Sequence, residues 1–177
     1  MGFMGYRIRV FAAAMLLGAV LMGTGQLLAA ESGSQLVMRE LRGESLAHSL
    51  IGTNPVRKLA VYLPAGYEGA AKRYPVVYYL PSPGEFKEEF YEHDVRAVLD
   101  RATKSGTIQP VVLVAVDMAT PVGCSWYVNS PVTGNWEDFM VRDVVPYVDA
   151  NFKTLATRDS RGLPGISWAD MGRSGLG

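Results

Sequence analysis

Two stretches decide the fold: YPVVYYL, Tyr74 to Leu80, and QPVVLVAV, Gln109 to Val116. Each is a nearly unbroken run of β-branched, aliphatic and aromatic residues, without the apolar–polar alternation of a strand that has one wet face. Such runs form strands buried on both faces, and sheets covered on both sides are mostly parallel, with helices as the cover. The first run ends on Pro81, and Asp117 follows the second. Between them, Glu85 to Lys104 carries Phe86, Phe90, Val95, Val98, Leu99 and Ala102 at helix-like spacing in a charged setting, and Gly106 stands where a helix C-cap falls. Strand, helix, strand in that order predicts a crossover connection between parallel neighbours.

Working outward, Val56 to Leu63 (VRKLAVYL) reads as another strand, closed by Pro64. Upstream of it, QLVMRELRGESLAHS, Gln35 to Ser49, alternates loosely and turns at Arg42-Gly43-Glu44, which predicts two antiparallel strands at the sheet's edge. Downstream of Val116, a polar and aromatic loop from Met118 to Gly134 leads into a helix over Trp136 to Phe152. Glu137 and Asp138 sit in its first turn, and Met140, Val141, Val144, Val145, Val148 and Phe152 make its apolar stripe. Pro146 requires that this helix kink or start later. Arg161 to Ile166 is a last short strand. The expectation is an α/β fold: a mostly parallel sheet with an antiparallel edge and helices on both faces. No internal repeat or low-complexity linker interrupts it, so residues 31–177 read as one domain.

Composition narrows the function. Among 177 residues, 17 are basic and 17 acidic, which leaves no positive surplus to neutralise phosphates, so nucleic acid is not an expected partner. One cysteine, Cys124, excludes an internal disulfide and a thiolate metal cluster, and with no nearby histidine in sequence it reads as a small packing residue. No metal-ligand cluster is visible, and neither metal nor cofactor is expected. Arg7 and Arg9 precede an apolar run from Val10 to Ala30, which the polar Glu31-Ser32-Gly33-Ser34 ends. That is the pattern of a signal peptide over residues 1–30, with Leu28 and Ala30 at the cleavage-recognition positions. An uncleaved anchor is the alternative, since the run approaches the length of a bilayer span. Either way a secreted or periplasmic location is expected, and contact with a membrane only through this segment.

Chemistry concentrates at Gly165-Ile166-Ser167, which follows the last strand. In a strand-to-helix elbow of the form Gly-x-Ser-x-small, the turn is too sharp for side chains two residues either side of the serine, and its strain lifts the hydroxyl clear of the sheet. Ala169 fills the second small position, giving G-I-S-W-A. Taken alone, a Gly-x-Ser after a strand is more often an ordinary turn.

The order and spacing of YPVVYYL, QPVVLVAVD, SWYVNSPVTGNWEDFMVRDVVPYVDANF and SRGLPGIS add to that pattern. They resemble the esterase family of α/β-hydrolases, which includes esterase D-like and feruloyl-type esterases, enterobactin esterases and mycobacterial mycolyltransferase antigens. The resemblance covers about Val56 to Ser167 and is most specific from Ser125 to Phe152. It implies the α/β-hydrolase fold, here its N-terminal portion only, with Ser167 as nucleophile and the backbone N–H of Trp168 as one oxyanion donor. The second donor would come from the loop after YPVVYYL. Many relatives carry His-Gly there, whereas this chain has Pro81-Ser82-Pro83-Gly84; two prolines remove two N–H groups, and Ser82 is the remaining candidate.

A serine hydroxyl attacks only when a base takes its proton, and a carboxylate orients the base. In this fold the acid and the histidine follow the serine in the chain. After Ser167 the sequence offers Asp170 and no histidine; His48 and His93 both precede it and read as surface residues. Relatives continue after the serine with Met-Gly-Gly-Tyr-Gly-Ala-Leu, and this chain with Trp168-Ala169-Asp170-Met171-Gly172-Arg173-Ser174. With Ser167 encoded TCA, the following bases regroup one place earlier into Met-Gly, then into Gly-Tyr-Gly when the Ala169 codon ends in G and the Asp170 codon in T, with Ala and Leu permitted next. A single base lost within the Ser167 codon is therefore the expectation, and it makes residues 31–177 an incomplete domain; a divergent elbow in a short protein is the alternative.

Trp126, Tyr127 and Asn129, with Ser130 and Trp136, form an aromatic and amide-rich stretch beyond the strand ending at Val116. Ligands of open α/β sheets bind outside the carboxyl ends of strands, so this loop is a candidate acyl pocket; a loop packed by its own aromatics is the equal alternative. Asp117 reads as a strand-end structural carboxylate, with positioning of a substrate as the alternative. Three functions remain: a serine carboxylesterase or acyltransferase acting on a small-molecule or cell-envelope acyl ester, a non-catalytic exported binding module, or an inactive membrane-tethered fragment.

Overall fold

The computed structural model describes residues 33–81 and 86–163. Residues 1–30, expected as the signal peptide, therefore lie outside the described residues, as do Ser82, Ser167 and Trp168.

Four strands and a short fifth build one mixed sheet. They are β1 (Gln35–Arg42), β2 (Val56–Leu63), β3 (Val76–Tyr79), β4 (Val112–Val116) and the two-residue strand Arg161–Gly162, in the spatial order β1, β2, β4, β3, Arg161–Gly162. β1 pairs antiparallel with β2 (Gln35 opposite Leu63), and β2 antiparallel with β4 (Leu59 opposite Val116). β3 runs parallel to β4 (Val76 opposite Val112), and Arg161–Gly162 parallel to β3. The antiparallel edge and parallel centre are those expected. The hairpin read within Gln35–Ser49 is not: the whole of Gln35–Arg42 is one strand, its partner is β2, and a 3-10 turn, Glu44–Leu46, follows. Alternation alone does not say which later segment a strand will pair with.

All five residues of β4 are buried, as its composition requires. β3 alternates instead, with Val76 and Tyr78 buried and Val77 and Tyr79 half-buried. Because successive side chains leave a strand on opposite faces, the sheet has two cores. Leu59, Val61, Val76, Tyr78, Val112, Val114 and Val116 pack with Trp136, Phe139, Val144 and Val148 on one side; Ala60 and Ala115 pack with Tyr91 on the other.

The second face is covered by α1 (Arg96–Lys104) and the π-helical turn before it, Phe90–Val95. The apolar positions read from sequence gave this helix, but not its anchor. Val98 is exposed, and the buried residue is Tyr91, edge-on to Tyr79 and in ring contact with Phe86 and Phe90. Gly106 caps α1 as expected: at φ +72 its N–H bonds Thr103 O at 3.1 Å and the Thr107 N–H bonds Ala102 O at 3.0 Å, the double closure of a left-handed C-cap.

The first face is covered by a continuous helical stretch: α2 (Trp136–Asp138), a π-helical turn (Phe139–Val144) and α3 (Val145–Asn151). Pro146 neither breaks nor visibly delays it. The wider turn just before it, closed by the Val145 N–H on Met140 O, accommodates a residue that has no N–H to give and whose ring crowds the carbonyl of an ordinary α-turn. Gly43 lets this helix approach, since a Cβ there would lie 2.3 Å from the Phe139 ring.

Two consequences are measurable. Gly43→Ala should cost about 1–3 kcal/mol through overpacking against Phe139, read as a lower urea midpoint; an unchanged midpoint would contradict the packing. Burial pushes the Tyr62 and Tyr78 hydroxyls above their ordinary value of 10.0, helped at Tyr62 by its 2.8 Å bond to Asp100 and at Tyr78 by nearby Asp149. A raised folded-state pKa means that the folded chain holds the phenol proton more tightly. That stability is complete below about pH 10 and is lost as pH rises further. Replacing both tyrosines by phenylalanine should flatten the fall in urea midpoint as pH rises above about 10; an equally steep fall would refute the assignment.

Candidate functional site

The parallel strands β3 and β4 end at one edge of the sheet, and the loops gathered there form the candidate site. β3 runs out through Leu80 to Pro81, and β4 through Asp117 into the loop 118–134. Because β2 is antiparallel to β4, the loop entering β2 lies at this edge too, and it is zipped to the far side of the β4 loop. The Leu50 N–H bonds Pro131 O at 3.0 Å, the Ile51 N–H bonds Val132 O at 3.2 Å, and Thr53 Oγ1 donates to Thr133 O at 2.8 Å.

Arg57 fastens the β4 loop at its root, a role that sequence reading missed. Its guanidinium donates to Asp117 O and Ala119 O, each at 2.9 Å, meets Asp117 Oδ2 at 2.9 Å, and lies 5.4 Å from the Trp136 ring centre. Burial lowers its pKa and Asp117 opposes that. The Arg side chain is 8% exposed, so leaving it unpaired would be costly, whereas the fork here satisfies carbonyls and carboxylate together. Asp117 also accepts the Ala119 N–H at 3.0 Å. It is the structural carboxylate expected at a strand end.

Within the loop, two short antiparallel ribbons form, Ala119–Thr120 with Gly123–Cys124 and Asn129–Ser130 with Gly134–Asn135. Between them stand Trp126 (φ 54) and Tyr127 (φ 57), adjacent bulky residues both in the left-handed region. Such backbone is strained for residues of this size and persists only where the surroundings enforce it. Here buried Ser125 does so: its N–H bonds Met118 O at 3.2 Å, and its Oγ accepts the Tyr127 N–H at 3.2 Å. The Trp126 indole is 76% exposed, while Tyr127 turns inward and donates its hydroxyl to the carbonyl of Pro81, across 46 residues of sequence.

Of the residues singled out in sequence, the structure thus brings Tyr127 to the end of β3 and leaves Trp126 exposed beside it. Asn129 is engaged otherwise: its Oδ1 accepts the Asp138 N–H at 3.0 Å and caps the helix that starts at Trp136. Trp136 is fully buried, its Nε1 on Thr133 O at 2.9 Å, so it belongs to the core and not to a pocket wall. Cys124 is half-buried and its Sγ receives the Trp126 N–H at 3.4 Å. His48 and His93 are exposed. On the other side of β3, Arg161 is paired with Asp149, whose other oxygen accepts from Thr154 at 2.7 Å; this holds the strand that leads toward residue 167 against α3. Among the described residues no cluster of three or more His, Cys, Asp or Glu could hold a metal, and no helix is long and apolar enough to cross a membrane.

Comparison with known proteins agrees with this geometry. Residues 52–172 match the family described as "Putative esterase". An esterase of Mycobacterium tuberculosis is 31% identical over 129 residues, covering 70% of this chain and 26% of that protein. Endo-1,4-beta-xylanase Y of Acetivibrio thermocellus is 28% identical over 133 residues, 74% of this chain and 11% of that one. Among solved structures, a ferulic acid esterase superposes with a TM-score of 0.65 at 24% identity, over 76% of this chain and 51% of that one. An S-formylglutathione hydrolase from Agrobacterium tumefaciens gives 0.56 at 16%, over 76% and 50%. The fold is the α/β-hydrolase fold in part, and the chain spans about a quarter or less of the curated relatives' length and about half of these structures'.

Arg57→Met should unfasten the β4 loop, leaving Asp117 part-buried and unpaired at a cost of about 3 kcal/mol. Amide exchange at Ser125 would rise while that at Val114 stays slow relative to it; equal protection in both chains would contradict the role given to Arg57.

Proposed function

The chain belongs to the family described as "Putative esterase", and we propose that its gene encodes an exported serine carboxylesterase or acyltransferase in which Ser167 attacks the ester carbonyl. The observation that carries this is the parallel pairing of Arg161–Gly162 with β3. A strand entering there in that direction leads toward the edge where Pro81 and Asp117 lie, with Gly165-Ile166-Ser167 next in sequence. A nucleophile turn belongs at that edge, because only there can a hydroxyl meet loops from neighbouring parallel strands.

In this reading the Ser167 hydroxyl gives its proton to a histidine as it attacks. The N–H groups of Trp168 and Ser82 receive the oxyanion, the ester C–O bond breaks as the histidine returns that proton to the departing alcohol, and water or a second alcohol, deprotonated by the same histidine, then takes the acyl group from the serine. Trp126 and Tyr127 line the acyl side, and Asn129 holds the loop that carries them. The substrate is a small-molecule or cell-envelope acyl ester, and the apolar segment from Val10 to Ala30 directs export. No cofactor is required by this chemistry.

The family's chain order puts the acid and the histidine after the serine, and among these 177 residues the histidines are His48 and His93. We place the acid and the histidine in the neighbouring reading frame, entered through the regrouped codons after Ser167.

The deciding experiment pairs the gene's nucleotide sequence with an assay of a short-chain acyl ester. A continuation encoding Met-Gly-Gly-Tyr-Gly is expected in the neighbouring frame, with hydrolysis by the chain which that frame encodes. Ser167→Ala in that chain should lower kcat by about 10³-fold or more. An active Ser167→Ala chain would remove the serine from the mechanism, and absence of that continuation would remove the frame shift.

A further inference from the structure

We infer that the loops at the candidate-site edge form a docking surface for a lipid layer, with Val122, Trp126 and Val132 entering it below the headgroups. Nothing in this surface depends on Ser167. Residues 118–136 carry no charged side chain, and neither do residues 49–56, in a chain in which 19% of residues are charged. The two segments are joined by the bonds from the Leu50 N–H to Pro131 O and from the Ile51 N–H to Val132 O, so they present one uncharged surface. It is apolar where it meets water. Leu50 (78%), Val122 (71%) and Trp126 (76%) are largely exposed, and Val128 and Val132 are exposed as well.

The tips of the two ribbons share one construction. Thr120-Pro121-Val122 turns the first and Ser130-Pro131-Val132 the second. In each, the proline has no N–H, and the hydroxyl before it accepts the N–H of the valine: Val122 to Thr120 Oγ1 at 3.3 Å, Val132 to Ser130 Oγ at 3.2 Å. The Trp126 N–H is taken by Cys124 Sγ. Exposed backbone needs no such partners in water, whereas backbone that leaves water does. These apolar side chains therefore stand on N–H groups already satisfied, with no neighbouring charge to strip of its hydration.

Those properties select the occupant. Protein–protein interfaces are anchored by Trp, Tyr and Arg in packed pockets, and Val and Leu are under-represented among their anchors. Small ligands take concave sites, whereas these side chains are carried on turns. A lipid layer asks for apolar side chains, satisfied backbone and an indole whose ring lies below the headgroups with its N–H among them. The contact lies on the layer and does not cross it. It is separate from the run Val10 to Ala30, to which the sequence reading confined membrane contact.

The test uses the full chain and vesicles of phosphatidylcholine brominated near the headgroup end of the acyl chains, since bromine quenches an indole only on close contact. The chain has three tryptophans and Trp136 is core, so the emission lost in Trp126→Phe reports residue 126. That component is expected to shift to the blue and to be quenched by the brominated lipid, equally at low and high salt. In the double variant Val122→Ser with Val132→Ser its quenching falls severalfold, while the chain still floats with vesicles through Val10 to Ala30 and the thermal midpoint matches that of the wild type. A residue 126 component that is not quenched, quenching that salt removes, or quenching that the double substitution leaves intact overturns the docking surface. A blue shift produced by soluble xylan, or by self-association without lipid, overturns it too and assigns the face to a polysaccharide or to a second copy of this chain.

Discussion

The structure depends on the burial of β4 from both sides. Five consecutive residues, Val112 to Val116, have no wet face, so their backbone groups must find partners within the sheet. β2 supplies them antiparallel on one side and β3 parallel on the other. That single requirement sets which ends of strands share an edge. It brings the exit of β3, the exit of β4 and the entrance of β2 together, and every candidate functional residue among the described ones lies on a loop leaving that edge.

What the edge adds is fastening. Arg57 reaches back from β2 to bind the first carbonyls beyond β4 and the carboxylate of Asp117. Thr53 and its neighbours clamp the far end of the same loop, and Asn129 ties its middle to the helix that begins at Trp136. A loop held at three places can maintain two adjacent left-handed residues, and these direct Trp126 to solvent and Tyr127 to Pro81. In the proposed esterase reading, the end of β3 and the strand beside it are where the acyl-transfer site is assembled.

Much of this was legible in the sequence, and the reasons differ by element. β4 declared itself because burial on two faces leaves no room for polar residues; β3 was read the same way, yet Val77 and Tyr79 are only half-buried. In the stripe read for the helix from Trp136, Val144 and Val148 are core while Val141 is exposed, and Phe139, outside the stripe, is buried. The partner of β1 was not legible, because alternation fixes a strand's faces and not its neighbour. Tyr91 was hidden because a π-helical turn shifts the helical phase, and it displaced Val98 as the inward residue. Trp136 looked like a pocket aromatic because loop and helix meet at it, yet its ring is core. Arg57 gave no signal beyond one of two adjacent charges, with Lys58, at the start of a largely apolar strand, a position usually turned to water.

The central claim is spatial: a serine hydroxyl raised at the edge where β3 and β4 end. A crystal structure that locates Ser167 tests it most directly. The account requires residue 167 on a tight turn between an extension of the Arg161–Gly162 strand and a following helix, on the same side of the sheet as Pro81 and Asp117. Ser167 within the body of a helix, or at the opposite end of the strands, would contradict it.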